Sequence, residues 1–332
     1  MWFDGKRQPN TIYLANTSRG KDSTAMLRAI HLMGWPLDMI CSVDIWFDEE
    51  TPAELPPMVA FKDEYDRKVL EQFGVPVTRL CATKRERLSD CSPQKLTYCD
   101  IFYRTKTTPK RERERESGTR IPADQGQLVQ QRSQTGRNLG FPNMGCPWCT
   151  GELKRDASKV SHGRKGLGVQ TGSKGDCSTT LSNKPRERGA KINIVHYIGI
   201  AADEPLRIKK HIGKKDCVLP LVQMGWDEDL CGLEATYMDM LSPTYTDGQM
   251  RDGCWFCHNQ GIGQLRRLRK LYPELWAKLM QLDLDSPVTF HPDGHTVHDF
   301  DRRFSLEDEG LIDPAKPFRW KMLDDELQYS LF

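Results

Sequence analysis

Residues 12–33 constrain the fold more than any other stretch of this chain. Ile12-Tyr13-Leu14-Ala15 is a short apolar run of the kind that forms a buried strand. A polar stretch follows, Asn16-Thr17-Ser18-Arg19-Gly20-Lys21-Asp22-Ser23, and then a helical pattern with Met26, Ile30 and Met33 on one face beside Leu27 and Ala29. A strand that feeds a helix through a tight loop leaves the first backbone N–H groups of that helix without partners. Here a lysine and small hydroxyl residues gather around them, which suits a bound phosphate. The plain alternative is an ordinary strand-to-helix turn with polar filler.

The alternation continues. Met39 to Phe47 reads as a second strand that ends at an acidic edge, Asp48-Glu49-Glu50-Thr51. Pro56-Pro57 opens a helix with an apolar face of Val59, Phe61, Tyr65, Val69, Leu70 and Phe73, and Gly74 stops it. Val75 to Leu80 is a third strand. This series predicts an α/β fold: a Rossmann-like parallel sheet with right-handed crossovers and helices on both faces. Ligands in such sheets sit beyond the carboxyl ends of the strands, where both 18–23 and 48–51 fall.

The loop does not fit the Walker pattern, because Ala15 replaces its first glycine and Asp22 follows Lys21 where Ser or Thr is required. Ser18-Arg19-Gly20-Lys21-Asp22-Ser23 resembles instead the S-G-G-x-D-S loop of the PP-loop ATP pyrophosphatases, at every specified position except Arg19. The stretch looks like the phosphoadenosine phosphosulfate (PAPS) reductase-like branch of that superfamily. The resemblance implies a bound adenine nucleotide, ATP or a sulfonucleotide, with Mg²⁺. It places Ser18, Gly20 and Ser23 around the phosphates, with Lys21 and Arg19 as cationic donors and Asp22 orienting the loop or holding Mg²⁺. An acidic residue after the second strand, Asp44 or Asp48, stands near the nucleotide in the family pattern. The segment Ile198-Gly199-Ile200-Ala201-Ala202-Asp203-Glu204-Pro205-Leu206-Arg207 resembles a family I-G-I-x-x-D-E-x-x-R segment, in which Asp203 and Arg207 lie close to the nucleotide. Spacing alone would make Asp203 and Arg207 a surface ion pair.

Two C-x-x-C pairs, Cys146/Cys149 and Cys254/Cys257, lie 105 residues apart from Cys149 to Cys254. Four thiolates can complete a tetrahedron around Zn²⁺ or hold a [4Fe–4S] cluster. A redox dithiol and simple burial are the alternatives. The family often carries both segments, which the resemblance implies for Gly145 to Lys154 and Gly253 to Cys257. A smaller, metal-bound helical C-terminal segment is therefore expected. His291, His295 and His298 flank a Pro292-Asp293-Gly294 turn signal and read as a loop or hairpin rather than a metal site.

The expected organisation is a nucleotide-binding α/β domain from 1–103 and 191–225, a basic insertion at 104–140, a C-x-x-C segment with loop insertion at 141–190, and a C-terminal helical segment at 226–332. The stretch Arg104 to Arg120 carries a local charge of +4, which suits either a nucleic-acid contact or a solvated insertion. Within the C-terminal segment, a basic helix from Gly261 would bury Leu265, Leu268, Leu271, Leu275 and Leu279 and carry Arg266, Arg267, Arg269 and Lys270 as a solvated face. The chain as a whole is nearly balanced, with a formal net charge of +2, so any polyanion contact must be local. The short polar start and the lack of any apolar run near ~20 residues predict a cytoplasmic protein with no membrane partner. Eleven cysteines there suggest metal or thiol chemistry rather than a disulfide frame.

The resemblance admits two chemistries. One is AMP-forming activation of a substrate oxygen for sulfur transfer or nucleic-acid or nucleotide modification. The other is sulfonucleotide reduction, whose nucleophile sits in a cysteine-containing tail; here no cysteine follows Cys257, which favours the first. A non-catalytic nucleotide- or nucleic-acid-binding accessory protein is a third class. Protein partners or self-association remain open.

Overall fold

The computed structural model describes residues 3–84, 94–105, 138–143, 146–157, 168–170, 193–246 and 253–320. The bulk of the basic insertion, most of the 161–190 loop and the last residues lie outside that set. The chain forms two compact units, residues 1–100 with 148–254 and residues 101–147 with 255–332.

The first unit is built on a six-stranded sheet. Its strands are β1 (Thr11–Asn16), β2 (Met39–Val43), β3 (Val77–Ala82), β4 (Gly168–Gln170), β5 (Asn193–Tyr197) and β6 (Cys217–Val218), in the order β4-β3-β2-β1-β5-β6. All neighbours are parallel except the β3–β4 pair. The chain runs outward from β1 through β2 and β3, then returns to the other side of β1 as β5. The crevice between β1 and β5 is therefore a topological switch point, where open α/β sheets take ligands.

Alternation along the strands sorts the side chains. Tyr13, Ala15 and Ile40 enter one apolar cluster, while Ile12, Leu14, Met39 and Cys41 enter the other. Helices α1 (Lys21–Leu32) and α2 (Pro56–Phe73) cover the first face. The short α3 (Tyr98–Phe102) follows β3, and a π-helical segment (Cys149–Arg155) packs beside β3. Beyond β5 come α4 (Pro205–Lys209), α5 (Pro220–Met224), α6 (Glu228–Tyr237) and α7 (Pro243–Thr246). Trp226, Cys231, Met238 and Met240 join the α1 cluster, so α6 belongs to the sheet unit rather than to the C-terminal segment the sequence suggested.

Helix α2 shows where the pattern misled. Pro at its start and Gly74 at φ 69° bound it as expected. Its buried residues, however, are Met58, Lys62, Tyr65 and Val69, while Leu70 is 48% exposed. A buried lysine breaks an apolar pattern because its partners are distant in sequence.

The second unit is helical at its C-terminal end: α8 (Ile262–Leu271), α9 (Pro273–Asp285) and α10 (Val297–Asp308). The single long helix expected from Gly261 is broken at Tyr272-Pro273, since proline cannot continue the preceding hydrogen bonds. Its expected solvated cations are partly engaged. Arg266 forks onto Glu307, and Arg269 reaches Asp301 and Asp308 of α10. Among the described residues, no helix is long and apolar enough to cross a membrane.

Candidate functional site

The loop between β1 and α1 lies at the switch point. Gly20 is the N-cap of α1, extended at φ −79° and ψ 165°, and no side chain caps the helix. The N–H groups of the first turn are thus left for a ligand. The side chains around them brace the loop. The Ser23 hydroxyl donates to the Gly20 carbonyl at 2.9 Å and accepts from the Ser18 N–H at 3.3 Å. Ser23 is buried, so its side chain shapes the cradle instead of lining it. The Tyr65 hydroxyl, reaching in from α2, sits 3.2 Å from Thr17 Oγ1 and 2.9 Å from Thr24 Oγ1. It ties both ends of the loop to one buried point, and burial raises its pKa.

Arg19 departs from its expected role as a phosphate donor. It takes the left-handed backbone conformation, φ 62°, that a glycine at this position would enter freely. Its side chain is only 2% exposed and points into the unit. Nε and Nη2 donate to the two carboxylate oxygens of Asp66 at 2.9 and 3.0 Å, and Nη1 donates to Ser42 Oγ at 2.7 Å. Asp44 lies 3.6 Å from Nη1 and also receives Lys62 at 2.9 Å. Asp66 is further held by Arg79 at 2.6 Å. A left-handed residue costs about 1–2 kcal/mol, and a bidentate buried carboxylate pair is a fitting counterweight. The arginine therefore holds this left-handed conformation by being clamped rather than by being flexible.

Lys21 is the first residue of α1. Its ammonium lies 2.7 Å from Asp22 Oδ1 and 3.2 Å from Glu228 Oε2. Burial works against that charge, but Asp22 and Glu228 outweigh it and raise the Lys21 pKa. Glu228 opens α6, and its N–H donates to Asp203 Oδ1 at 3.2 Å. Asp203 thus joins the loop through Glu228.

Gly199 closes the other wall. A Cβ there would stand 3.0 Å from the Asp22 carbonyl oxygen, tighter than most such contacts, so the segment after β5 lies close against the α1 backbone. Cys231 of α6 is fully buried beside this corner. Burial, followed by the charge of Asp22, pushes its thiol up to about 12, so it is a neutral packing group at ordinary pH.

Two expected residues have other partners. Arg207 binds Glu204 at 2.6 Å on the surface and is 54% exposed; the i,i+4 pair with Asp203 is replaced by an i,i+3 pair. Asp48 accepts from the N–H groups of Glu50 and Thr51 at 3.0 and 2.6 Å, capping its own turn. Of the two acids after β2, Asp44 is the one tied to the loop, through Arg19.

Among the described residues, no group of three or more His, Cys, Asp or Glu side chains is arranged to hold an ion, so the expected metal-bound C-terminal segment is not supported. Cys146 sits in a bridged turn with Asn143, Cys149 opens the π-helical segment, and Trp255 and Phe256, inside the second pair, are buried aromatics. His291 pairs with Asp293, His295 stacks on Trp320 at 3.7 Å, and His298 pairs with Asp283.

The roles of Asp66, Tyr65, Ser42 and Glu228 were missed by sequence reasoning. Their only signal was the polar interruption of α2 at Lys62 and Asp66.

No family model, no curated protein and no solved structure matches the chain.

Proposed function

We propose that this protein is a PP-loop ATP pyrophosphatase-like enzyme. In this reading it binds ATP at residues 18–23 and activates a substrate by AMP formation, for sulfur transfer or modification of a nucleic acid or nucleotide. The observation that carries the reading is the uncapped first turn of α1 at the sheet's switch point with Lys21 beside it.

The polyphosphate lies against the N–H groups of the first turn. Lys21, now held by two carboxylates, turns to it as the anion replaces Glu228 and stabilises the charge that develops on the leaving pyrophosphate. Mg²⁺ arrives on the nucleotide's own phosphates. Asp203 and Glu228 face the same corner and set the position of Lys21. Arg19 has no direct part and holds the loop's shape. Reduction of a sulfonucleotide is disfavoured, because Cys231, the thiol beside this corner, is buried and protonated.

Calorimetric titration with Mg·ATP, together with pyrophosphate release measured with and without oligonucleotides, tests the reading. Binding that weakens at least about tenfold in Lys21→Ala, with release of pyrophosphate by the wild type, is expected. ATP bound without pyrophosphate release under any condition supports the accessory reading, and no ATP binding at all removes the site.

A further inference from the structure

The stretch from Pro205 to Lys215 carries Arg207, Lys209, Lys210, Lys214 and Lys215 and no acid, a charge of +5 in a chain whose net charge is +2. It begins two residues after Asp203, in the same unit as the loop, and comprises α4 and the turns that follow it. Arg207 is paired with Glu204. The four lysines are exposed, and none forms an ion pair with a described carboxylate. His211 among them has a lowered pKa, first from burial and then from Lys214, Arg207 and Lys210. Leu206 and Ile212 on the same excursion are 79% and 67% exposed. Open lysines interspersed with open aliphatic side chains match a sugar–phosphate backbone, with apolar surface left for sugars or base edges.

We propose that residues 205–215 form a docking surface for a nucleic-acid strand, which delivers its reacting group to the loop at 18–23 of the same unit. The inference rests on the proposed ATP-dependent activation and names the class of acceptor. Nucleic acid is favoured over a lipid surface because the stretch begins two residues after Asp203, which is joined to Lys21 through Glu228, so a tethered substrate is useful there, and because the stretch lacks the interfacial aromatic residues of membrane anchors.

The test is fluorescence anisotropy of a labelled mixed-sequence DNA strand and its duplex with the full chain across a salt series. It compares wild type with Lys209→Ala/Lys210→Ala, Lys214→Ala/Lys215→Ala and the fourfold variant, and measures Mg·ATP binding alongside. The fourfold variant is expected to bind nucleic acid at least about tenfold more weakly. Its salt slope should flatten by about 0.7–0.9 for each phosphate that is no longer neutralised, with Mg·ATP affinity unchanged. Unchanged affinity and slope in the fourfold variant overturn the surface while leaving the ATP site standing. Binding of anionic vesicles or polyglutamate with the same lysine dependence, without nucleic-acid binding, overturns the choice of partner. Loss of Mg·ATP binding in Lys21→Ala is read separately, so failure of the loop and failure of the surface are distinct results.

Discussion

Arg19 and the lysines of 205–215 carry the same sign of charge in the same unit, yet they have opposite fates. Arg19 sits in the phosphate motif and is buried, with its guanidinium enclosed by Asp66, Ser42 and Asp44. The lysines sit in no motif and remain open to solvent. A cation's role follows from whether the fold supplies it with an anion. Where α2 brings Asp66 to Arg19, charge becomes architecture; where the stretch 205–215 holds no acid of its own and no described carboxylate reaches its lysines, charge stays available for a partner.

The largest effect that could break this contrast comes from Asp66→Ala. It strands a buried arginine, and a loss of about 3–5 kcal/mol in unfolding free energy is expected by chemical denaturation. Arg19→Gly removes the charge and the left-handed strain together, while Arg79 still holds Asp66 and Lys62 still holds Asp44. It should cost only about 1–2 kcal/mol. Equal losses in the two variants would mean that Arg19 is not a clamp.

Next in size is Gly199→Ala. The new methyl group meets the Asp22 backbone at 3.0 Å, so α1 must shift. We expect destabilisation of about 1–3 kcal/mol with a several-fold loss of Mg·ATP affinity by titration. Retained affinity would show that the first turn is not the binding element.

Acid sharpens the comparison in the second unit. Burial opposes ionisation of Glu307, but Arg266 and Arg303 prevail and lower its pKa below the ordinary 4.5. A depressed folded pKa gives stability that is full above the unfolded value and is lost as pH falls from 4.5 through the folded value. Hydrogen exchange of α8 and α10 should therefore stay slow at neutral pH and accelerate below that range. In Glu307→Gln the acid-dependent step should shrink; an unaltered step would assign it to other carboxylates.

Smaller still is the response of Cys231. With its thiol pushed up to about 12, it should resist alkylation in the folded protein at mildly alkaline pH and react once unfolded, as read by mass spectrometry. Rapid native labelling would show the corner to be open. Least of all, Lys210→Ala should move stability by no more than about 0.5 kcal/mol, which separates a binding surface from a structural one.

Much of the fold is legible in the local pattern. The apolar run before the loop, the helix after it, the two prolines and Gly74 around α2, and the β–α alternation follow from backbone and burial rules that act over a few residues. The break at Tyr272-Pro273 was also written in the chain and overridden by the leucine spacing. The place of Asp66 was not legible, because its partners Arg19 and Arg79 lie far from it in the chain.

The sequence by itself determined an α/β sheet with a polar loop between its first strand and first helix, because strand, turn and helix preferences are local. Only the tertiary structure decided that Arg19 faces Asp66, that Arg207 turns to Glu204 and that Glu228 meets Lys21. Each of these depends on how the folded chain surrounds a side chain. The energy of a charge or a thiol is set by that surrounding, which a local pattern does not contain.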